Sequence, residues 1–213
     1  MQSLMHLHGH LFLNRTKKTE RLKVKLNNVE DVEQFQARIL SLRRWNPQAK
    51  WPEVSTDSLL VSAKEWLSPY LNDIRKPEEL KKLNIKEILT YSLSIEQQEK
   101  LSKLAPEKIE VPSGSQIKLN YRSNGEAPVL AVRIQEIFGM AETPNINNGK
   151  QSVLMHLLSP GFKPVQVTSD LKSFWSDTYF EVKKELKRRY PKHVWPDDPT
   201  KEPAIRGIKR KPN

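Results

Sequence analysis

The chain has 213 residues, 36 Lys and Arg against 25 Asp and Glu, and a formal net charge of +11. Its 37% hydrophobic content, with five Trp, five Tyr and six Phe, is enough to bury a core and excludes an acidic disordered chain. The absence of Cys excludes a disulfide scaffold, a thiolate-held zinc or iron–sulfur centre and a cysteine nucleophile. No apolar run approaches the ~20 residues that span a bilayer. The start, Met1 to His8, lacks the basic-then-apolar layout of a secretory signal. A cytoplasmic chain with no membrane partner is expected.

The positive charge is unevenly placed. Residues 14–26 carry six bases and one acid, whereas residues 27–171 carry 18 of each. Residues 172–192 hold seven bases against three acids, and residues 201–213 five against one. A partner feels local field, so the two ends are where a polyanion would be attracted.

In chain order, residues 1–28 form a basic segment with no clear structural signature, its Arg15–Lys25 cluster fitting an exposed strand or linker. His6, His8 and His10 alternate, so a single strand would put all three on one face, where neutral imidazoles bind zinc or nickel. A mobile chain end is the simpler reading. Asn28 with Asp31 gives an N-cap signal, followed by Val32, Phe35, Ile39 and Leu42 at helical spacing up to Asn46-Pro47. A second helix is expected over Thr56–Leu67, ended by Ser68-Pro69, and a short turn begins at Pro77. Asn84-x-x-Glu87 and Ser94-x-x-Gln97 have capping-box spacing. Residues 29–106 therefore read as a helical subdomain.

The character changes at residues 109–114, and Ile117, Leu119 and Tyr121, alternating with Gln116, Lys118 and Asn120, then mark a half-buried strand. Pro128, with Leu130, Ile134, Ile137 and Phe138 on one face and Gly139 as a stop, predicts a helix. Ser152–Leu158 and Pro164–Thr168 predict a strand pair around Ser159-Pro160-Gly161-Phe162-Lys163. A long amphipathic helix follows, with Leu171, Trp175, Tyr179, Val182 and Leu186 as its apolar stripe. Residues 107–199 are expected to be one α+β domain with a small, mostly antiparallel sheet and a packed helix. Residues 200–213 are expected to be a disordered basic tail.

The wording from about Val32 onward resembles the C-terminal region of bacterial HrpB-type ATP-dependent helicases, of the DEAH-box RNA helicase superfamily. The resemblance is carried by Leu104-Ala105-Pro106, Val111-Pro112-Ser113-Gly114-Ser115, the run from Pro128 to Gly139, and Leu157-Leu158-Ser159-Pro160. It continues through Gln166 to Leu171, Ser173-Phe174-Trp175 and the run from Arg189 to Pro199. Such helicases use a Gly-x-x-x-x-Gly-Lys-Ser/Thr phosphate loop, an Asp-Glu-x-His motif and an arginine finger. None of these is present in this sequence. The resemblance therefore implies an accessory C-terminal module without the RecA-like motor domains. No catalysis and no cofactor of its own are expected, ATP and magnesium belonging to the motor of the family.

The candidate site is a nucleic-acid contact. Lys183, Lys184, Lys187 and Arg188, with Arg189 and Lys192, could neutralise successive phosphates of RNA or another single strand, against the alternative of a merely solvated face. Tyr190, His193 and Trp195 could stack on unpaired bases, although Trp195 between prolines equally suits an apolar latch. Lys209, Arg210 and Lys211 would add attraction for any polyanion. Asp197-Asp198 reads as a turn pair rather than a cation site. His156, Ser159 and Asp170 lack a nucleophile elbow and carry no triad argument. Arg133, Gln135 and Glu136 are placed on the expected helix, facing a helicase core or RNA. The competing function is a non-catalytic docking module packing on helicase domains or another protein.

Overall fold

The computed structural model describes residues 3–7, 10–14, 22–25 and 29–208, apart from the side chains of the first three of these stretches and of Pro77 and Glu78. It divides into two units, Met1–Ser102 with Arg122–Gly125, and Lys103–Tyr121 with Glu126–Asn213.

The first unit begins with an antiparallel sheet of β1 (Ser3–Leu7), β2 (His10–Asn14) and β3 (Leu22–Lys25). The register pairs Leu7 with His10 and His6 with Leu11. The chain thus reverses between His6 and His10, so these two histidines lie on different strands, not on one strand face. His8 lies outside the described residues.

Helix α1 (Val29–Trp45) buries Phe35, Ile39 and Leu42, the i, i+4, i+7 stripe that its sequence carries, and Ala37 beside it. Each fully buried Leu or Phe side chain contributes about 1.5–3 kcal/mol relative to exposure. Polar groups on the helix are also used: Gln36 Nε2 donates to the Val54 carbonyl at 2.6 Å, and Ser41 Oγ to the Arg122 carbonyl at 3.0 Å. The expected single helix over 56–67 is two pieces, α2 (Thr56–Val61) and α3 (Ala63–Trp66). The break falls at Ser62, whose hydroxyl bonds back to the Ser58 carbonyl at 2.9 Å, a local competitor of the helical ladder. The Ser94 capping box closes in both directions, whereas the Asn84 one forms only its forward cap. In α4 (Ile85–Tyr91) Asn84 Oδ1 accepts from Glu87 N–H at 3.3 Å. In α5 (Ile95–Leu104) Ser94 and Gln97 bond reciprocally at 3.1 and 3.2 Å.

The second unit is built on a five-stranded mixed sheet, in the order β10 (Pro164–Thr168), β9 (Leu154–Leu158), β6 (Val129–Arg133), β5 (Gln116–Asn120), β4 (Lys108–Glu110). Only β6 and β9 run parallel; the other neighbours are antiparallel. A small hairpin of β7 (Asn145–Ile146) and β8 (Gln151–Ser152) precedes β9.

The helix expected from Pro128 to Gly139 is not formed. Val129–Arg133 is strand β6, and only Ile134–Ile137 winds into one 3-10 turn. Leu130, Val132, Ile134, Ile137 and Phe138 are all buried, so the residues are core as expected. Leu130 and Val132 also alternate at period two, and a run this short satisfies both periodicities until pairing with β9 decides.

The C-terminal helix runs from α6 (Leu171–Ser173) through a π-helical turn at Phe174–Thr178 into α7 (Tyr179–Arg189). The wider turn brings Phe174, Trp175 and Tyr179 to one side, where Phe138 joins them: Trp175 and Tyr179 rings lie 5.3 Å apart edge to face, and Phe174 and Trp175 4.9 Å apart. Trp175 Nε1 donates to the Met140 carbonyl at 2.7 Å, so the indole is buried without an orphan donor.

The chain does not leave the body at Pro199. Gly139 N–H donates to the Pro199 carbonyl at 2.9 Å, Ile205 N–H to the Gln135 carbonyl at 2.9 Å, and Arg206 Nε to the Ser113 carbonyl at 3.1 Å. The expected disordered tail is therefore corrected for residues 200–206, which are tied down by backbone bonds that composition does not reveal. Residues 209–213 lie outside the described residues.

Candidate nucleic-acid interface

The outer face of α7 carries Lys184, Lys187 and Arg188 at i, i+3, i+4 spacing, all exposed. Arg189, the last residue of α7, and Lys192 beyond it extend the series and are also exposed. Leu186 is buried on the inner face, so packing fixes which side the cations occupy. Acidic Asp177 and Glu181 come early in the helical stretch and the bases late, a polarity that complements the helix dipole.

Lys183 does not belong to this set. Its side chain is only 13% exposed and forms an ion pair with Asp197. Its charge is thus shared with a carboxylate before any phosphate arrives. Lys183 with Lys187 holds the Asp197 carboxyl below the usual range. Asp198 accepts from Thr200 N–H at 3.1 Å and Thr200 Oγ1 at 2.6 Å and pairs with Lys201 at 2.8 Å. Lys201 first, then Thr200, brings its carboxyl down to about 2. The two aspartates thus serve a turn.

Trp195 is 8% exposed, with Nε1 donating to the Tyr190 carbonyl at 3.0 Å. Its stacking role is corrected: no open ring face remains, and the indole is the latch. Tyr179 strengthens that latch by donating to the Pro196 carbonyl at 3.1 Å. His193 is half-buried, edge-on to Tyr190 with centroids 6.0 Å apart. Burial, with the Arg133 charge second, lowers its pKa below the ordinary 6.5, so it is neutral at pH 7 and supplies no phosphate cation. Lys209, Arg210 and Lys211 lie outside the described residues.

Arg133, Gln135 and Glu136 are not on a helix face. Arg133 ends β6, and Gln135 and Glu136 lie in the 3-10 turn, both buried. Glu136 pairs with Arg133 at 2.7 Å and accepts from Ser113 Oγ at 3.1 Å. Burial alone would raise the Glu136 carboxyl, but Ser115, Arg133 and Ser113 together hold it below 4.5. Ser159 Oγ accepts from Lys163 N–H at 3.1 Å and stands 3.5 Å from the Tyr190 hydroxyl. Sequence reasoning missed the exposed Phe162 ring, 4.8 Å from the Arg133 guanidinium. The available signal was an aromatic placed directly after Pro-Gly in a hairpin connection. Among the described residues no cluster of three or more His, Asp or Glu could hold a metal, and no helix is long and apolar enough to cross a membrane.

A five-stranded mixed sheet followed by a long amphipathic C-terminal helix with a cationic outer stripe gives the chain an α+β fold. The family model described as ATP-dependent helicase C-terminal, HrpB_C, matches residues 66–199, and the chain belongs to that family. It is 40% identical over 185 residues to the ATP-dependent RNA helicase HrpB of Escherichia coli K12, covering 87% of this chain and 23% of that protein. The crystal structure of the E. coli DExH-box NTPase HrpB superposes with a TM-score of 0.80 at 34% identity, over 96% of this chain and 29% of that one. A second structure, of the E. coli DEAH/RHA helicase HrpB, gives 0.67 at 31% identity over 91% and 28%. The chain thus spans about a quarter of its curated relative and corresponds to the accessory C-terminal part of an HrpB-like protein.

Proposed function

We propose that this module binds RNA, or another single-stranded nucleic acid, through phosphate contacts from the outer face of α7, holding the strand beside the ATP-driven RecA-like domains of an HrpB-type helicase. The observation that carries the reading is the exposed series Lys184, Lys187, Arg188, Arg189 and Lys192, with the apolar stripe of the same helix buried. Support also comes from the relative's being named an RNA helicase. Mechanistically, each cation displaces a condensed counterion from the backbone, so affinity falls with salt and varies little with sequence. The module contributes no chemistry of its own to ATP hydrolysis.

The test is fluorescence anisotropy of the chain with labelled single-stranded RNA across a salt series, alongside a chain ending at Ile208. Binding that survives this truncation with a slope of several supports the folded body as the grip. A folded chain indifferent to RNA would overturn the reading and leave docking against the motor domains as the function of this surface.

A further inference from the structure

Phe162 occupies a backbone conformation that favours glycine, with φ at +60°. Among the described residues the other non-glycines in this region, Asn147 and Asn148, are of a type that tolerates it, whereas a bulky aromatic there is an outlier. The glycine of the same connection is used one position earlier, because a Cβ at Gly161 would stand 2.6 Å from the Tyr190 hydroxyl. The strained position does not serve to bury the ring, which is 64% exposed. Strain kept at an exposed aromatic points to a contact made outside the chain.

The surroundings define that contact. Arg133 Cζ lies 4.8 Å from the Phe162 centroid, and its ion pair with the buried Glu136 carboxylate fixes the guanidinium. One ring face is therefore backed by a planar cation while the ring as a whole remains largely open to solvent. Because Glu136 offsets the Arg133 charge, the guanidinium positions the ring rather than gripping a phosphate. Lys163 follows directly and is exposed; the Tyr190–His193 turn, against which Gly161 packs, carries exposed Lys192 and continues from the cationic end of α7.

We infer that Phe162 is a stacking platform for one unpaired base of a single strand, with Lys163 and Lys192 flanking it for the adjoining phosphates. This rests on the nucleic-acid reading above and assigns where a base, as distinct from the backbone, is held. Stacking on an aromatic ring is sequence-tolerant, since every base has a π face.

The experiment uses the full chain, a labelled oligouridine and an abasic ribose-phosphate strand of equal length, with Phe162→Gly as the variant. Glycine relieves the left-handed backbone, so the variant folds at least as readily as the parent. The expected result is a parent that prefers oligouridine over the abasic strand. Phe162→Gly should bind oligouridine about tenfold more weakly with an unchanged salt slope, and the preference should vanish. Equal oligouridine affinity in parent and variant overturns the platform and leaves phosphate binding standing, the ring then serving only to cover the Arg133–Glu136 pair. Failure of the parent to bind either strand overturns both readings.

Discussion

The Tyr179 hydroxyl, on a ring with no solvent exposure, donates to the carbonyl of Pro196, seventeen residues further on. The bond ties the start of α7 to the segment that follows its end, and Trp195 beside it donates back to Tyr190. Burial, more than the nearby Asp197 and Glu202 charges, pushes the Tyr179 phenol well above its usual value, so it remains a donor at every pH of interest. Tyr179→Phe is expected to cost about 1 kcal/mol, and Trp195→Ala about 3–5 kcal/mol, in urea unfolding. A Trp195→Ala variant as stable as the parent would show that the latch is not anchored by the indole.

Charge removal on α7 should separate two kinds of lysine. Replacing Lys184, Lys187 and Arg188 with Gln is expected to reduce the log–log salt slope of single-strand binding by about 2, at ~0.7 per lost phosphate contact. Lys183→Gln should leave the slope nearly unaltered, because that ammonium is already paired with Asp197. The aspartate side of the pair is fully solvated, so the urea midpoint should move little. Equal slope losses from Lys183 and Lys187 would contradict this assignment.

The Arg133–Glu136 pair sets an acid limit. Because the folded-state pKa of Glu136 lies below 4.5, the unfolded chain takes up the proton first as pH falls. The stabilisation is fully present above about 4.5 and disappears as pH drops through the depressed folded value. Glu136→Gln should lower stability at pH 7 by about 3 kcal/mol, leaving Arg133 poorly partnered. The gap between parent and variant should narrow in melts below pH 4; a constant gap would show that the carboxylate charge is unimportant.

Gly161 is held by sterics rather than by its φ. Gly161→Ala is expected to destabilise by about 1–3 kcal/mol, since a methyl group 2.6 Å from the Tyr190 oxygen forces a shift. Tyr190→Phe in the same chain should recover part of that loss, because the next ring atom is 3.4 Å away. Additive costs in the double variant would place the strain elsewhere.

Much of this architecture was legible in residue order. The stripes of α1 and the C-terminal helix, the Asn84 and Ser94 caps and the β9–β10 pair each follow from contacts within a few residues, where periodicity and caps act. The cationic series on α7 was readable for the same reason, since helical spacing alone puts Lys184 and Arg188 on one face. Residues Val129–Arg133 were not decided locally. Their apolar spacing fits helix or strand, and only the parallel pairing with Leu154–Leu158 makes them a strand.

The candidate site divides along the same line. The sequence by itself determined which side chains are cationic and which helix carries them, because charge and period are local properties. Tertiary structure alone decided that Lys183 is taken by Asp197, that Trp195 is a latch, and that Phe162 stands exposed over Arg133. The Lys183–Asp197 and Arg133–Phe162 pairings join separate elements of the chain, and the burial of Trp195 likewise depends on how packed elements come together in space.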